Sequence, residues 1–147
     1  MKTAIAYYSK HHGNTKKLLD AIAAAAEVEL IDVTVTKNAD LSGCDRIGFA
    51  SGIYYGAFAK QIQAFASEYL PEGKQVFLIE TCGSPRKGYF SAMEKIAAGK
   101  NCTVIGKYEC LGFDTFGPFK LIGGLQKGHP TEDEIQKAVE FYKGLEL

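Results

Sequence analysis

A polar turn near the N-terminus carries the side chains best suited to hold an anion. Its members are Ser9, Lys10, His11, His12, Gly13, Asn14 and Thr15. An apolar run from Ala4 to Tyr8 precedes the turn and apolar residues recur at helical spacing from Leu18 onwards, so the pattern predicts a strand, a turn and a helix. A helix N-terminus exposes unpaired N–H groups and the positive end of its dipole, which favour a phosphate. The turn therefore predicts a phosphate site, although Asn14 or Thr15 could instead serve only as a helix cap.

Two common phosphate-binding signatures are absent from this part of the sequence. Neither G-x-G-x-x-G nor G-x-x-x-x-G-K-[ST] can be placed on the turn. The pattern therefore disfavours a dinucleotide in a Rossmann grip and a nucleotide in a P-loop.

Aromatic residues are concentrated in and beside the segments that follow the later predicted strands. They are Tyr54, Tyr55, Phe58, Tyr89, Phe90, Phe113, Phe116 and Phe119. Loops are normally polar, so rings in such positions suggest a planar ligand on which they stack. Tyr54, Tyr55 and Tyr89 are the ligand candidates, whereas Phe58 matches the apolar face of a helix and the phenylalanines of 112–129 could simply pin that loop. A phosphate at one end and a flat ring at the other describe flavin mononucleotide (FMN).

The order of the predicted elements indicates the fold class. Apolar runs predict strands at 4–8, 28–35, 46–50, 74–80 and 102–112, with helices or turns between them and a last helix after a capping box that starts at Thr131. This alternation predicts a doubly wound five-stranded parallel sheet, in a three-layer αβα arrangement and a single domain over 1–147, because a barrel would need about 250 residues. Right-handed crossovers place the loops after the strands at one edge of the sheet, where ligands bind.

Composition narrows the class of partner. Lys plus Arg and Asp plus Glu balance at 17 each, so no field of one sign steers the chain onto nucleic acid. No apolar stretch reaches the length of a membrane span, and the expected location is the cytoplasm. The four cysteines, Cys44, Cys82, Cys102 and Cys110, form no C-x-x-C pair, and no metal site is predicted from them.

The polar turn resembles the phosphate loop of the flavodoxin family, and the resemblance extends over essentially the whole chain at short-chain flavodoxin length. The segment Gly13–Thr15 is similar to the end of that family's S/T-x-T-G-x-T motif. Ser9 lies one residue too early for the motif, and Lys10 or His12 stands where a hydroxyl residue is usual. The resemblance therefore implies that Thr15 and the backbone around the glycine are firmer phosphate ligands than Ser9. The two histidines either donate to the phosphate or face solvent.

A second segment resembles the flavodoxin-like NAD(P)H:quinone reductases more closely than the electron-carrier flavodoxins. It comprises Ser51, Gly52, Ile53, Tyr54, Tyr55 and Gly56, followed by Gln61 and Phe65. In the family this loop supports the flavin ring, which implies that the Tyr55-Gly56 peptide accepts a hydrogen bond from the reduced flavin, since glycine adopts positive φ at little cost. Thr81, Cys82 and Gly83 resemble the family's second flavin-edge loop, with Tyr89 as the outer stacking ring.

The resemblance implies an FMN-binding electron carrier without catalytic residues of its own. It would shuttle electrons at low potential through the flavin semiquinone and hydroquinone, between redox partner proteins, as a monomer or weak dimer. An FMN-dependent NAD(P)H:quinone or small-molecule oxidoreductase is the alternative, and a non-catalytic binding module is a third possibility. The balanced charge departs from the strongly acidic character of the carrier flavodoxins.

Overall fold

The computed structural model describes residues 1–10, 13–36, 38–112 and 128–145. The elements are β1 (Thr3–Tyr8), α1 (Asn14–Ala25), β2 (Glu29–Asp32), β3 (Arg46–Tyr54), β4 (Ala57–Phe58), α2 (Lys60–Tyr69), β5 (Gln75–Cys82), α3 (Ser91–Gly99), β6 (Thr103–Leu111) and α4 (Glu132–Gly144). The predictions made for His11, for His12 and for the phenylalanines of 113–127 lie outside the described residues.

Five parallel strands form a sheet in the order β2-β1-β3-β5-β6, and the short β4 pairs antiparallel with β3. The winding reverses at β1, so the carboxyl ends of β1 and β3 flank the position where ligands bind in such sheets. Tyr8 pairs with Ser51 and Gly52 pairs with Thr81, so the ends of three strands are aligned at one edge. The predicted doubly wound five-stranded α/β sheet is confirmed, with β4 as an addition.

Helices cover both faces of the sheet. Phe58, Ile62 and Met93 belong to the core on the face that carries α2 and α3. Leu18 and Tyr142 belong to the core on the face that carries α1 and α4. Two separate apolar cores on either side of one sheet make the three layers that the sequence predicted.

Close packing fixes residue size in the middle of the sheet. A Cβ atom placed on Gly48 of β3 would lie 2.4 Å from two ring carbons of Phe77. Phe77 is fully buried and its ring meets those of Phe141 and Tyr142. The ring therefore has little room to move aside, and position 48 requires glycine.

The hairpin formed by β3 and β4 corrects two predictions. The predicted strand ends at Ala50, whereas β3 continues to Tyr54 because Ile53 pairs with Phe58 and Tyr54 pairs with Ala57. Phe58 was predicted on the apolar face of a helix, which is wrong, because it lies in β4 before α2 begins. Tyr55 and Gly56 close the hairpin with φ of 52° and 79°, the two positive values that a type I′ turn requires.

Two other strands also differ in length from the prediction. β2 ends at Asp32 instead of position 35, because the Asp32 carboxylate accepts hydrogen bonds from the N–H and hydroxyl groups of Thr34 and turns the chain. β5 continues past Glu80, so Thr81 and Cys82, which were predicted in a loop, are strand residues paired with β6.

A register shift interrupts the pairing of β5 with β6. Val76 pairs with Val104, but Phe77 pairs with Gly106, so β6 contributes one extra residue at this bulge. Beyond the bulge Glu80 lies opposite Glu109.

Candidate functional site

The described residues at the end of the polar turn lead into α1, which begins at Asn14. Gly13 precedes the helix in the left-handed region, with φ of 65°. Gly13 is the N-cap residue, and the Ser9 hydroxyl accepts a hydrogen bond from the Lys16 N–H of the first turn at 3.1 Å. Asn14 and Thr15 are the first residues of α1, which makes the alternative that either of them is the cap wrong. The first turn of α1 contains no acidic side chain that would repel a phosphate.

A buried hydrogen bond joins the first turn of α1 to the end of β5. The hydroxyl oxygens of Thr15 and Thr81 lie 2.9 Å apart, and these residues are only 1% and 3% exposed. The end of β6 also approaches this point, since a Cβ atom on Gly112 would lie 2.7 Å from the Asn14 amide nitrogen. The structure thus brings the ends of β1, β5 and β6 together around the start of α1.

The β3–β4 hairpin presents its tyrosines beside the end of β1. The rings of Tyr8 and Tyr54 meet edge to face with centroids 5.7 Å apart. Tyr55, at the tip of the hairpin, is 93% exposed. Ser51, by contrast, is fully buried, and its hydroxyl accepts from the Ala59 N–H at 3.0 Å and donates to the Gly52 carbonyl at 2.6 Å. The Ser51 hydroxyl therefore anchors the hairpin to the start of α2.

A cleft of about 520 Å³ connects the polar turn with the hairpin. Its lining consists of Tyr8, Lys10, Tyr54, Tyr55, Ala57, Phe58, Ala59, Lys60, Gln61 and Gln63. This volume lies within the range of roughly 300–1,000 Å³ typical of small-molecule sites. Lys10, Tyr54 and Tyr55 were predicted site residues, and the structure places them around one opening.

Sequence reasoning missed several residues that line this cleft, of which Tyr8 and Gln63 are the most informative. Tyr8 was interpreted only as the end of a buried strand, but its ring is half-buried and lines the opening. Gln63 lines it from α2 and donates through its amide nitrogen to the Phe58 carbonyl at 2.9 Å. Position at a strand end on the carboxyl edge was the signal that could have indicated Tyr8.

The loop between β5 and α3, residues 83–90, is here called the third loop, and its tyrosine lies elsewhere than predicted. Tyr89 is only 9% exposed, and its hydroxyl donates to the Ser84 carbonyl at 2.6 Å, so the ring closes over its own loop. It is not among the described residues that line the cleft. Cys82 is also buried, which raises the pKa of its thiol.

An acidic residue lies buried behind this loop. Glu80 has no exposed surface, and burial together with the neighbouring Glu109 carboxylate raises the pKa of Glu80 to about 9.

Comparisons with known proteins identify the family. A family model described as a flavodoxin domain matches residues 4–88, which is more than half of the chain. The chain belongs to the flavodoxin family. It is also 35% identical over 147 residues to the uncharacterized protein MJ0298 of Methanocaldococcus jannaschii, a match that covers 99% of this chain and 98% of that one.

Solved structures confirm the flavodoxin fold. A flavodoxin from the domain Archaea superimposes with a TM-score of 0.69 at 16% identity, and the match covers 100% of both chains. General stress protein 14 of Treponema denticola, solved in complex with FMN, superimposes with a TM-score of 0.69 at 12% identity and 99% coverage of each chain. Within the part of this flavodoxin that the structure describes, no helix combines the length and apolar character needed to cross a bilayer.

Proposed function

We propose that this flavodoxin binds FMN at the carboxyl edge of its sheet and transfers electrons through it. The phosphate would lie at the polar turn and the flavin ring in the neighbouring cleft. The observation that carries the proposal is that this cleft is lined both by Lys10 of the polar turn and by the hairpin residues Tyr54 and Tyr55. FMN, when bound, supplies the redox chemistry, and the protein supplies binding, orientation and electrostatics.

The start of α1 suits the phosphate end of the ligand. Left-handed Gly13 leaves the first N–H groups of the helix to face an anion, and no carboxylate stands in the first turn. Lys10 is exposed beside this turn and adds a positive charge. Thr15 belongs to the same turn, and its bond to Thr81 fixes the direction of its hydroxyl.

The hairpin suits the ring end of the ligand. Tyr8, Tyr54 and Tyr55 offer aromatic surface for stacking. The Tyr55-Gly56 peptide lies at the tip of the hairpin, between two residues of positive φ. We expect the carbonyl of this peptide to accept a hydrogen bond from the flavin ring, because glycine at position 56 allows the peptide to reorient at low cost.

Electron transfer to partner proteins is the function favoured for this site, and a reductase with its own substrate is the competing one. The proteins of known structure that it resembles include flavodoxins, which favours the carrier. The exposed ring of Tyr55 at the mouth of the cleft leaves space for a small acceptor, which favours the reductase. Steady oxidation of NAD(P)H with a quinone as acceptor would select the reductase, whereas one-electron steps in a redox titration without such turnover would select the carrier.

Flavin binding is tested by comparing FMN with riboflavin, which has the same ring but no phosphate. We expect FMN to bind the full chain with quenched flavin fluorescence, and Lys10→Glu to weaken FMN by at least about tenfold while affecting riboflavin much less, because only FMN carries a charge that the introduced carboxylate would repel. Lys95→Glu, on the exposed surface of α3, is the matched control and should bind like the wild type. Equal losses for both ligands, or no loss for FMN, would contradict the placement of the phosphate.

A further inference from the structure

Three side chains with metal-binding atoms converge behind the third loop, on the α2–α3 side of the sheet. Glu80 and Cys82 are two residues apart on β5, so both project from the same face of the strand. Glu109 of β6 lies directly opposite Glu80. A carboxylate oxygen of each glutamate and the Cys82 sulfur all lie within 4.8 Å of one another.

Glu80 shows that this cluster is more than a group of surface acids. It has no exposed surface, and neither of its carboxylate oxygens has a hydrogen-bond partner outside this cluster among the described residues. An ionised carboxylate buried without a partner costs several kcal/mol, so Glu80 stays protonated unless a cation takes the place of its proton. No Lys or Arg among the described residues forms an ion pair with Glu80, whose oxygens point toward Cys82 and Glu109.

We propose that Glu80, Cys82 and Glu109 bind a divalent transition-metal ion, with Zn²⁺ as the expected occupant and a water molecule as the fourth ligand. One sulfur and two oxygen donors suit a borderline-soft ion, whereas Mg²⁺ and Ca²⁺ prefer sites made of oxygen alone. Ligand atoms lie about 2.0–2.3 Å from Zn²⁺, so we expect the three side chains to draw closer together on binding, chiefly that of the exposed Glu109.

One member of the cluster is exposed and gives a metal ion access from solvent to the two buried members. Cys82 is 6% exposed and Glu80 is fully covered, but Glu109 lies on the exposed face of the edge strand β6. Glu109 can therefore capture the ion from solvent and deliver it to the buried pair. Binding displaces to solvent both the thiol proton of Cys82 and the proton that the buried Glu80 carries, since the thiolate and the carboxylate are the forms that ligate metal.

Cobalt titration tests the site, because Co²⁺ replaces Zn²⁺ and reports a sulfur ligand by a thiolate-to-metal absorption band. We expect the chelator-treated full chain to develop this band with one Co²⁺ per chain and to lose it when Zn²⁺ is added. Cys82→Ser should abolish the band. Cys102→Ser is the matched control and should keep the band. Cys102 precedes the amino end of β6, whereas the proposed ligands lie near the carboxyl ends of β5 and β6.

The exposed ligand gives a variant that is expected to fold normally. Loss of a residue that merely supports a metal ligand costs about 10–100-fold in affinity, so Glu109→Gln should weaken Zn²⁺ binding by at least about tenfold while the urea midpoint of the metal-free protein stays unchanged. No cobalt band, an equal band in Cys82→Ser, or unchanged affinity in both Glu80→Gln and Glu109→Gln would overturn the proposal. The proposal would also be overturned if metal-free Glu80→Gln were more stable than the metal-free wild type and the wild type showed no cobalt band. The carboxyl groups of Glu80 and Glu109 would then simply share a proton. The titration is run with and without FMN, so that metal binding and flavin binding are scored separately.

Discussion

The buried hydrogen bond between Thr15 and Thr81 should couple the start of α1 to the end of β5 by a measurable energy. Valine has nearly the same shape as threonine, so Thr15→Val removes this hydroxyl and leaves that of Thr81 buried without it. A buried polar group left unsatisfied costs about 1–3 kcal/mol, whereas replacing both partners can be nearly neutral. We therefore expect each single variant to lose about 1–2 kcal/mol of unfolding free energy and the double variant to lose clearly less than the sum.

Urea denaturation of the four proteins in this cycle measures the coupling, followed by circular dichroism at one protein concentration. Thr103→Val, on the exposed amino end of β6, is the matched control and should change the unfolding free energy by less than about 0.5 kcal/mol. Strictly additive losses, within about 0.3–0.5 kcal/mol, would refute the inference that this bond couples α1 to β5. FMN and riboflavin binding are then measured on the same four proteins. A Thr15 hydroxyl that is absent, or misdirected because Thr81 lacks its own, should weaken the binding of FMN more than that of riboflavin.

Three further predictions concern stability. Gly48→Ala should lower the unfolding free energy by about 1–3 kcal/mol in thermal denaturation, because its methyl group would overlap the Phe77 ring, and pairing it with a smaller residue at 77 should recover part of that loss. Gly56→Ala should cost about 1 kcal/mol because of its positive φ, whereas Gly99→Ala in α3 should be neutral or stabilising, as urea midpoints would report. Burial works against ionisation of Glu134, but hydrogen bonds hold its pKa below the usual value, so it stabilises the fold above about pH 4.3 and that stability is lost as pH falls through the lowered pKa. Urea titrations from pH 6 to pH 3 should therefore show a smaller acid-induced loss for Glu134→Gln than for the wild type.

The regular elements could be predicted from the sequence because local patterns determine them. Apolar runs such as Val76–Ile79 become central strands covered on both faces, and Thr131 with Glu134 forms the capping box that starts α4. The flavodoxin fold follows from the alternation of these elements, and the family assignment confirms the resemblance carried by the polar turn.

The hairpin could not be predicted because its turn lacks the usual signature. Type I′ turns favour Asn-Gly or Asp-Gly, whereas this one places Tyr55 at positive φ before Gly56. The role of Ser51 is equally hidden, because its bond to the Ala59 N–H depends on the chain folding back. The site thus depends on contacts between segments that no local pattern specifies.

The bulge between β5 and β6 decides which chemistry the edge of the sheet can perform. With unbroken pairing from Val76 onwards, Glu80 would lie opposite Tyr108, whose side chain belongs to the other face. The extra residue in β6, Ile105, thus exchanges an aromatic neighbour of Glu80 for an acidic one. A single backbone irregularity far from any loop can therefore create or abolish a cluster of ionisable groups without altering the inventory of side chains.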